Sequence, residues 1–168
     1  NAPVWVKVWY LNPETFKTCP MFFLSTDVPK NDHISKTICH KLYDANESTK
    51  LAQYILLGKG GAKLLDEMNL ERDVYHLNEA HGLPAAFYLL RKYGGDLSKV
   101  KEKMVFTTHT PEEAGNEKHN LYHCHDMSYF SGLSIDEVKK IEGVDDDRFN
   151  HSLCALRMSR ISNAVSQL

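Results

Sequence analysis

Asn78, Glu79 and His81 crowd the end of one short apolar run, and Thr108, His109 and Thr110 crowd the end of a second that begins at Met104. Amide, carboxylate, imidazole and hydroxyl groups suit a ligand dense in hydroxyls, such as a sugar. Each ligand hydroxyl wants a donor and an acceptor at fixed angles. Polar residues at strand ends also satisfy buried backbone, and spacing alone does not separate the two roles.

Three other groups carry reactive side chains. His119, His123, Cys124, His125 and Asp126 include zinc-ligand types, and His119 and His123 would share one face of a helix. The segment reads as irregular, however, and no HExxH motif supplies a general base, so no metal is expected. The run Gly58-Lys59-Gly60-Gly61 lacks the P-loop pattern and follows a helix instead of a strand, which predicts close helix packing or a kink. Cys19, Cys39, Cys124 and Cys154 form no CxxC pair and have no activating neighbour in sequence, so they read as reduced thiols of a cytoplasmic protein.

The elements that must position the strand-end set alternate along the chain. Val4, Val6 and Val8 alternate with Trp5, Lys7 and Trp9 as a strand ended by Asn12-Pro13, and Met21 to Leu24 reads as a buried strand. Asp32 caps a helix carrying Ile34, Ile38 and Leu42, and a further helix starts near Ser48 with Leu51, Tyr54, Ile55 and Leu56 as candidates for its inward face. The strand from Asp73 delivers Asn78, Glu79 and His81; Pro84 opens the next helix, and Gly94-Gly95 stops it. Leu97 to Lys103 forms a short helix before the strand that delivers Thr108, His109 and Thr110, with a helix or turn start at Pro111-Glu112-Glu113. Ser134 caps a helix ended by Gly143. Asp145-Asp146-Asp147 suits the start of a last helix with Phe149, Leu153, Leu156 and Ile161 on its face, and Asn163 to Leu168 opens another strand. This order predicts an α/β fold, Rossmann-like and three-layered around a largely parallel sheet, whose ligands bind outside the carboxyl ends of the strands.

Bulk properties narrow the class. A chain of 168 residues with a formal net charge of -2 has room for about one domain and carries no basic field, so neither nucleic acid nor a membrane surface is an expected partner. No apolar run approaches the roughly 20 residues that span a bilayer. The opening Asn1-Ala2 reads as a cleavage scar, which predicts a piece of a longer protein.

The ordered motifs Leu57-Gly58-Lys59-Gly60-Gly61, His76-Leu77-Asn78-Glu79-Ala80-His81 and Phe106-Thr107-Thr108-His109-Thr110-Pro111 with Ala114-Gly115 span the middle of the chain. Phe23 to Pro29 precedes them, and Ala155-Leu156-Arg157-Met158-Ser159-Arg160 with Asn163-Ala164-Val165-Ser166 follows. The series resembles the α-glucan (glycogen, starch, maltodextrin) phosphorylase family, especially its bacterial and archaeal branch, which reads LGxGG, HLNEGH and FTTHTPxxAG. Ala80 stands where that branch usually has Gly, and Lys59 where it often has an aliphatic residue.

The resemblance implies a glycosyltransferase-B architecture, in which residues 1–168 are part of the amino-terminal, glucan-side domain and the carboxyl-terminal cofactor domain is absent. It implies phosphorolysis of an α-1,4-glucan or maltooligosaccharide by inorganic phosphate to glucose 1-phosphate. It also implies a homo-oligomeric full-length enzyme whose pyridoxal phosphate lysine lies outside this chain. By motif position His109 is the catalytic-site residue, and Asn78, Glu79, His81, Thr108 and Thr110 bind or shape the glucan channel. A glycogen-synthase-like nucleotide-sugar glucosyltransferase and a non-catalytic carbohydrate-binding module remain open; the module would present exposed aromatic platforms. The isolated chain is expected to be inactive, because half a cleft cannot preorganise both reactants.

Overall fold

The amino-terminal alternation becomes strand β1, Lys7–Leu11, starting later than Val4, and the apolar run becomes β2, Met21–Ser25. The structure, a computed structural model, describes residues 3–42, 44–70, 72–109 and 116–165. It divides into two units, Asn1–Gln53 and Tyr54–Leu168.

In the first unit β1 and β2 pair antiparallel, with Trp9 opposite Phe23 and Tyr10 opposite Phe22. β2 is not the buried strand its composition predicts: Phe23 is 53% exposed, and Trp5, Trp9 and Tyr10 are also exposed. A two-stranded ribbon offers each strand one neighbour, so a continuous apolar run does not by itself secure burial. Asn12 caps the short helix α1, Pro13–Phe16, ending the strand where Asn12-Pro13 predicts. Asp32 caps α2, His33–Thr37, as expected, but the helix is too short to carry the predicted stripe: Ile34 and Leu42 are each 78% exposed. Buried Asn31 ties this unit together, donating to the carbonyls of Trp5 and Thr26 and accepting from the Trp5 amide.

Helix α3, Glu47–Ile55, continues without a break through a π-turn, Leu56–Gly60, into α4, Gly61–Glu67. The second unit goes on with β3, Tyr75–Asn78, a 3-10 turn, Ala80–Gly82, α5, Pro84–Lys92, α6, Leu97–Lys103, and β4, Met104–Thr108. Its last part holds β5, Lys118–Asn120, α7, Leu121–Asp126, α8, Ile135–Glu142, β6, Arg148–Asn150, α9, His151–Met158, and β7, Ile161–Ala164.

The sheet at the centre of this unit has three strands in the order β3-β4-β7, all parallel. Parallel pairing needs crossovers, and α5 with α6 supplies the one from β3 to β4. One face of the sheet, with Leu77, Met104 and Phe106, is buried, and α6 and α9 pack against β4. The register puts Asn78 beside Thr107 and Thr107 beside Asn163, so these three share the opposite face.

The fold is therefore mixed α/β with a parallel core compatible with a Rossmann-like part, but "largely parallel" overstates it. β1-β2 and β5-β6 are antiparallel pairs. The latter lies where an irregular segment and the head of a helix are predicted. Asp145 and Asp147 pair with Lys139 instead of facing a helix start, and Asn150 caps α9. Leu156 is 46% exposed and Ile161 lies in β7; the buried face of α9 is His151, Cys154, Ala155 and Met158. Ser134, by contrast, makes the predicted cap, reciprocated by Glu137, and Gly143 ends α8 in the left-handed conformation. Among the described residues, no helix is long and apolar enough to cross a membrane.

Candidate functional site

β3 and β4 run parallel, so their carboxyl ends lie side by side. Asn78 closes β3 on an exposed surface, and Thr108 closes β4 half-buried. Between them Glu79 takes a backbone conformation at φ 62° and ψ 173°, a region that residues with a Cβ rarely enter and that costs about 1–3 kcal/mol. Its amide donates to the Thr107 carbonyl at 2.9 Å, extending the β3–β4 ladder by one residue. Its carboxylate accepts from the His109 amide and, at 3.5 Å, from the Thr108 hydroxyl. One acid thus stitches the end of the first strand to the segment leaving the second. Strain of this kind persists where surrounding contacts over-determine it, and such positions cluster at functional sites.

The Asn78–Thr107 face of the sheet carries a polar chain that the sequence reading passes over. Thr107 donates its hydroxyl proton to Asn163 Oδ1 at 2.8 Å, and His76 Nε2 lies 2.7 Å from the Thr107 hydroxyl oxygen. A hydroxyl has one proton to give, so Nε2 of His76 must carry the hydrogen and donate it. The signal was available: His76 and Asn78 are two apart, which in a strand puts both on one face.

His81 lies on the 3-10 turn just beyond, its ring stacked on Tyr54 with centroids 4.9 Å apart and planes at 29°. Tyr54 donates its hydroxyl proton to Glu117 at 2.7 Å and meets the buried His151 edge-on at 6.0 Å. Behind them His151 bonds Tyr129 at 2.7 Å through Nδ1 and His119 at 2.8 Å through Nε2. Burial, then the charges of His119 and His81, holds the His151 ring well below its usual pKa, so it is neutral. Burial likewise pushes the Tyr129 phenol up, with smaller contributions from Cys124 and Cys154. With both groups neutral, Tyr129 and the two imidazoles form one hydrogen-bonded chain.

The histidine-rich segment is thereby split. His119 sits in β5 and faces inward, whereas His123 and His125 sit on α7 nearer solvent, so His119 and His123 do not share a helix face. Among the described residues, no group of three or more His, Cys, Asp or Glu side chains could hold a metal ion.

The glycine run has the predicted packing role. A Cβ on Gly58 would stand 2.5 Å from the Gly82 carbonyl oxygen and 2.8 Å from the Ala85 nitrogen, so only glycine lets the π-turn approach the turn that carries His81. π-turns inside helices are frequent at functional sites.

Of the six residues expected to serve the site, Asn78, Glu79, Thr108 and His109 gather at the ends of β3 and β4, joined through Glu79. His81 follows two residues after Glu79 and packs on Tyr54. Thr110 lies outside the described residues, as do Pro111 to Gly115 and Ser166.

No family model matches the chain. Curated relatives do. An uncharacterized protein of Methanocaldococcus jannaschii is 42% identical over 167 residues, 99% of this chain and 31% of that protein. Maltodextrin phosphorylase of Thermococcus litoralis is 36% identical over 157 residues, 88% of this chain and 19% of the enzyme. Glycogen phosphorylase of Mycobacterium tuberculosis is 28% identical across all of this chain and 22% of its own length. The chain thus spans about a fifth to a third of the curated relatives it matches. Its homologues include glycogen and maltodextrin phosphorylases, consistent with a fragment of that family.

Proposed function

We propose that this homologue of glycogen and maltodextrin phosphorylases is the glucan-side part of an enzyme that phosphorolyses α-1,4-glucans to glucose 1-phosphate. The observation that carries the reading is the junction at Glu79, which draws Asn78, Thr108 and His109 together at two parallel strand ends. That is the position at which open α/β sheets take ligands, and its hydrogen-bonding groups suit a polyhydroxylated chain. Similarity to maltodextrin phosphorylase and glycogen phosphorylase supports it.

In this reading residues 1–168 belong to the amino-terminal half of a glycosyltransferase-B fold, and His109 stands at the sugar undergoing cleavage. Asn78 and His81 line the glucan channel, Thr108 and Thr110 shape the segment around His109, and Glu79 contributes both to the channel and to that segment. A cytoplasmic, homo-oligomeric full-length enzyme with phosphate as second substrate completes the reading.

Pyridoxal phosphate would supply the proton-handling phosphate beside substrate phosphate in the whole enzyme. The residues described here do not fit its seat. Lys59, whose pKa burial lowers, lies on the π-turn with Lys63 as its charged neighbour, not with groups that would hold a pyridine ring or a phosphate. In this reading the cofactor is held by the remainder of the full-length protein. What this chain's own residues do is bind and orient glucan: Glu79 fixes the His109 backbone through its amide, and His81 presents a ring held on Tyr54.

The test is release of glucose 1-phosphate from maltooligosaccharide by the full-length protein, dependent on phosphate. Its absence, or turnover by residues 1–168 alone, would contradict the reading. The exposed Trp9–Phe23 pair favours a second reading, a carbohydrate platform on β1-β2. Both tryptophans of the chain, Trp5 and Trp9, lie in that unit, so a change of intrinsic fluorescence on adding maltooligosaccharide would report it directly.

A further inference from the structure

We propose that Tyr54 is a positioning residue for His81, and that one face of the α3–π helix sets the geometry of the glucan channel; this rests on the phosphorylase reading above. Residues four apart on a helix share a face. Tyr54 and Gly58 are so placed, and both meet the same short turn, Ala80–Gly82. Gly58 fixes the backbone of that turn by its close approach to the Gly82 carbonyl. Tyr54 fixes the ring of His81 by stacking on it.

Tyr54 is itself held on two sides. Its hydroxyl donates to Glu117 Oε2 at 2.7 Å, a charge-assisted bond, and its ring is only 9% exposed. Beyond it stand His151, His119 and Tyr129, buried and bonded to one another, and the His151 amide donates to the Glu117 carbonyl at 3.4 Å. The Tyr54 ring thus lies between the His81 ring stacked on it and the His151 ring edge-on to it. Glu117 follows His109 by eight residues in sequence.

The experiment uses the full-length protein with Tyr54→Phe, Tyr54→Leu, Glu117→Gln and Glu117→Ala, and Tyr88→Phe as a control whose hydroxyl bonds Asp66 instead. Tyr54→Phe keeps the stack and loses the bond to Glu117. It should raise KM for maltooligosaccharide roughly threefold to tenfold, less than the full worth of a hydrogen bond to a charged group because the lost bond reaches the glucan only through His81, with a smaller change in kcat. Tyr54→Leu loses both contacts and should raise KM further, shift the pH profile of kcat/KM, and remove the ring-current shift of the His81 protons in NMR. Glu117→Gln retains an acceptor and should restore most of the affinity lost in Glu117→Ala. Tyr88→Phe should match the wild type.

Unchanged KM, pH profile and glucan affinity in Tyr54→Leu, with the His81 protons shifted, would overturn the proposal. If the wild-type protein binds maltooligosaccharide but does not phosphorolyse it, the functional reading falls. Glucan affinity of the same variants by calorimetry then decides the positioning role. If it neither binds nor cleaves glucan, both fall.

Discussion

Two groups of imidazole, hydroxyl and carboxyl residues lie within the second unit, and they differ in one respect, access to water. His119, His151 and Tyr129 are at most 7% exposed and bond mainly one another. Asn78 and His109 are exposed, Glu79 and Thr108 half-buried, and their bonds run between backbone and side chain at the rim of the sheet. In the first group a lost partner leaves a polar atom stranded where no water reaches it. In the second, water replaces what is removed, so those residues can serve a ligand at little cost to the fold. Burial alone thus divides the same residue types into a stabilising set and a rim set that is the candidate for binding.

The largest expected effect breaks the buried set. His151→Ala opens a cavity and strands both the Tyr129 hydroxyl and His119 Nδ1, and should destabilise the protein by about 4 kcal/mol. Urea unfolding checks it, and a loss below about 1 kcal/mol would mean that the chain of bonds contributes little. Gly58→Ala comes next, at about 2–3 kcal/mol, because the new methyl meets backbone on both sides and backbone yields poorly. It couples the two sets: the same displacement should weaken glucan binding through His81, which His151→Ala reaches only by way of Tyr54.

A smaller effect is pH dependence. The folded protein keeps His151 neutral, because burial holds its pKa well below the ordinary histidine value. Below that value the unfolded chain takes up a proton that the folded chain refuses. Stability contributed by neutral His151 is therefore fully present above about pH 6.5 and declines as pH falls toward the folded pKa, with a limiting slope of about 1.4 kcal/mol per pH unit. Glu142 acts in the opposite sense, since burial raises its pKa and protonation favours the folded form at acid pH. Thermal melts of wild type and His151→Gln between pH 7 and 5 separate them: the variant should lose the histidine's part of the slope.

The candidate binding set is legible in the sequence because each half is continuous. Asn78 to His81 and Thr108 to Thr110 are single stretches after apolar runs, and the abrupt change from apolar to polar residues marks the strand ends without any tertiary information. The buried set is not legible, because Tyr54, His119, Tyr129 and His151 come from separate segments joined by the β5-β6 pairing, whose strands are three residues each. Strands that short carry no readable alternation. His119 consequently reads as a zinc ligand type when its partner is another buried imidazole. The run Met21 to Leu24 fails in the other direction: its composition predicts burial, but exposure depends on what covers a ribbon, which the run itself does not encode.

The smallest stability change, and the sharpest test of the division, lies at Glu79. Replacement by alanine removes the acceptor of the His109 amide and the Thr108 hydroxyl but keeps a Cβ in the strained conformation. Replacement by glycine removes the same acceptor and releases the strain. Both variants should expose the His109 amide equally to hydrogen exchange, since that depends on the carboxylate alone. Their stabilities should differ, Glu79→Gly exceeding Glu79→Ala by about 1 kcal/mol, with Glu79→Ala within about 1 kcal/mol of wild type. Equal stabilities would show that the backbone at Glu79 relaxes once its carboxylate lets go. The tie to His109 would then be what creates the strain, and the binding set would be held in a tense arrangement by that single acid.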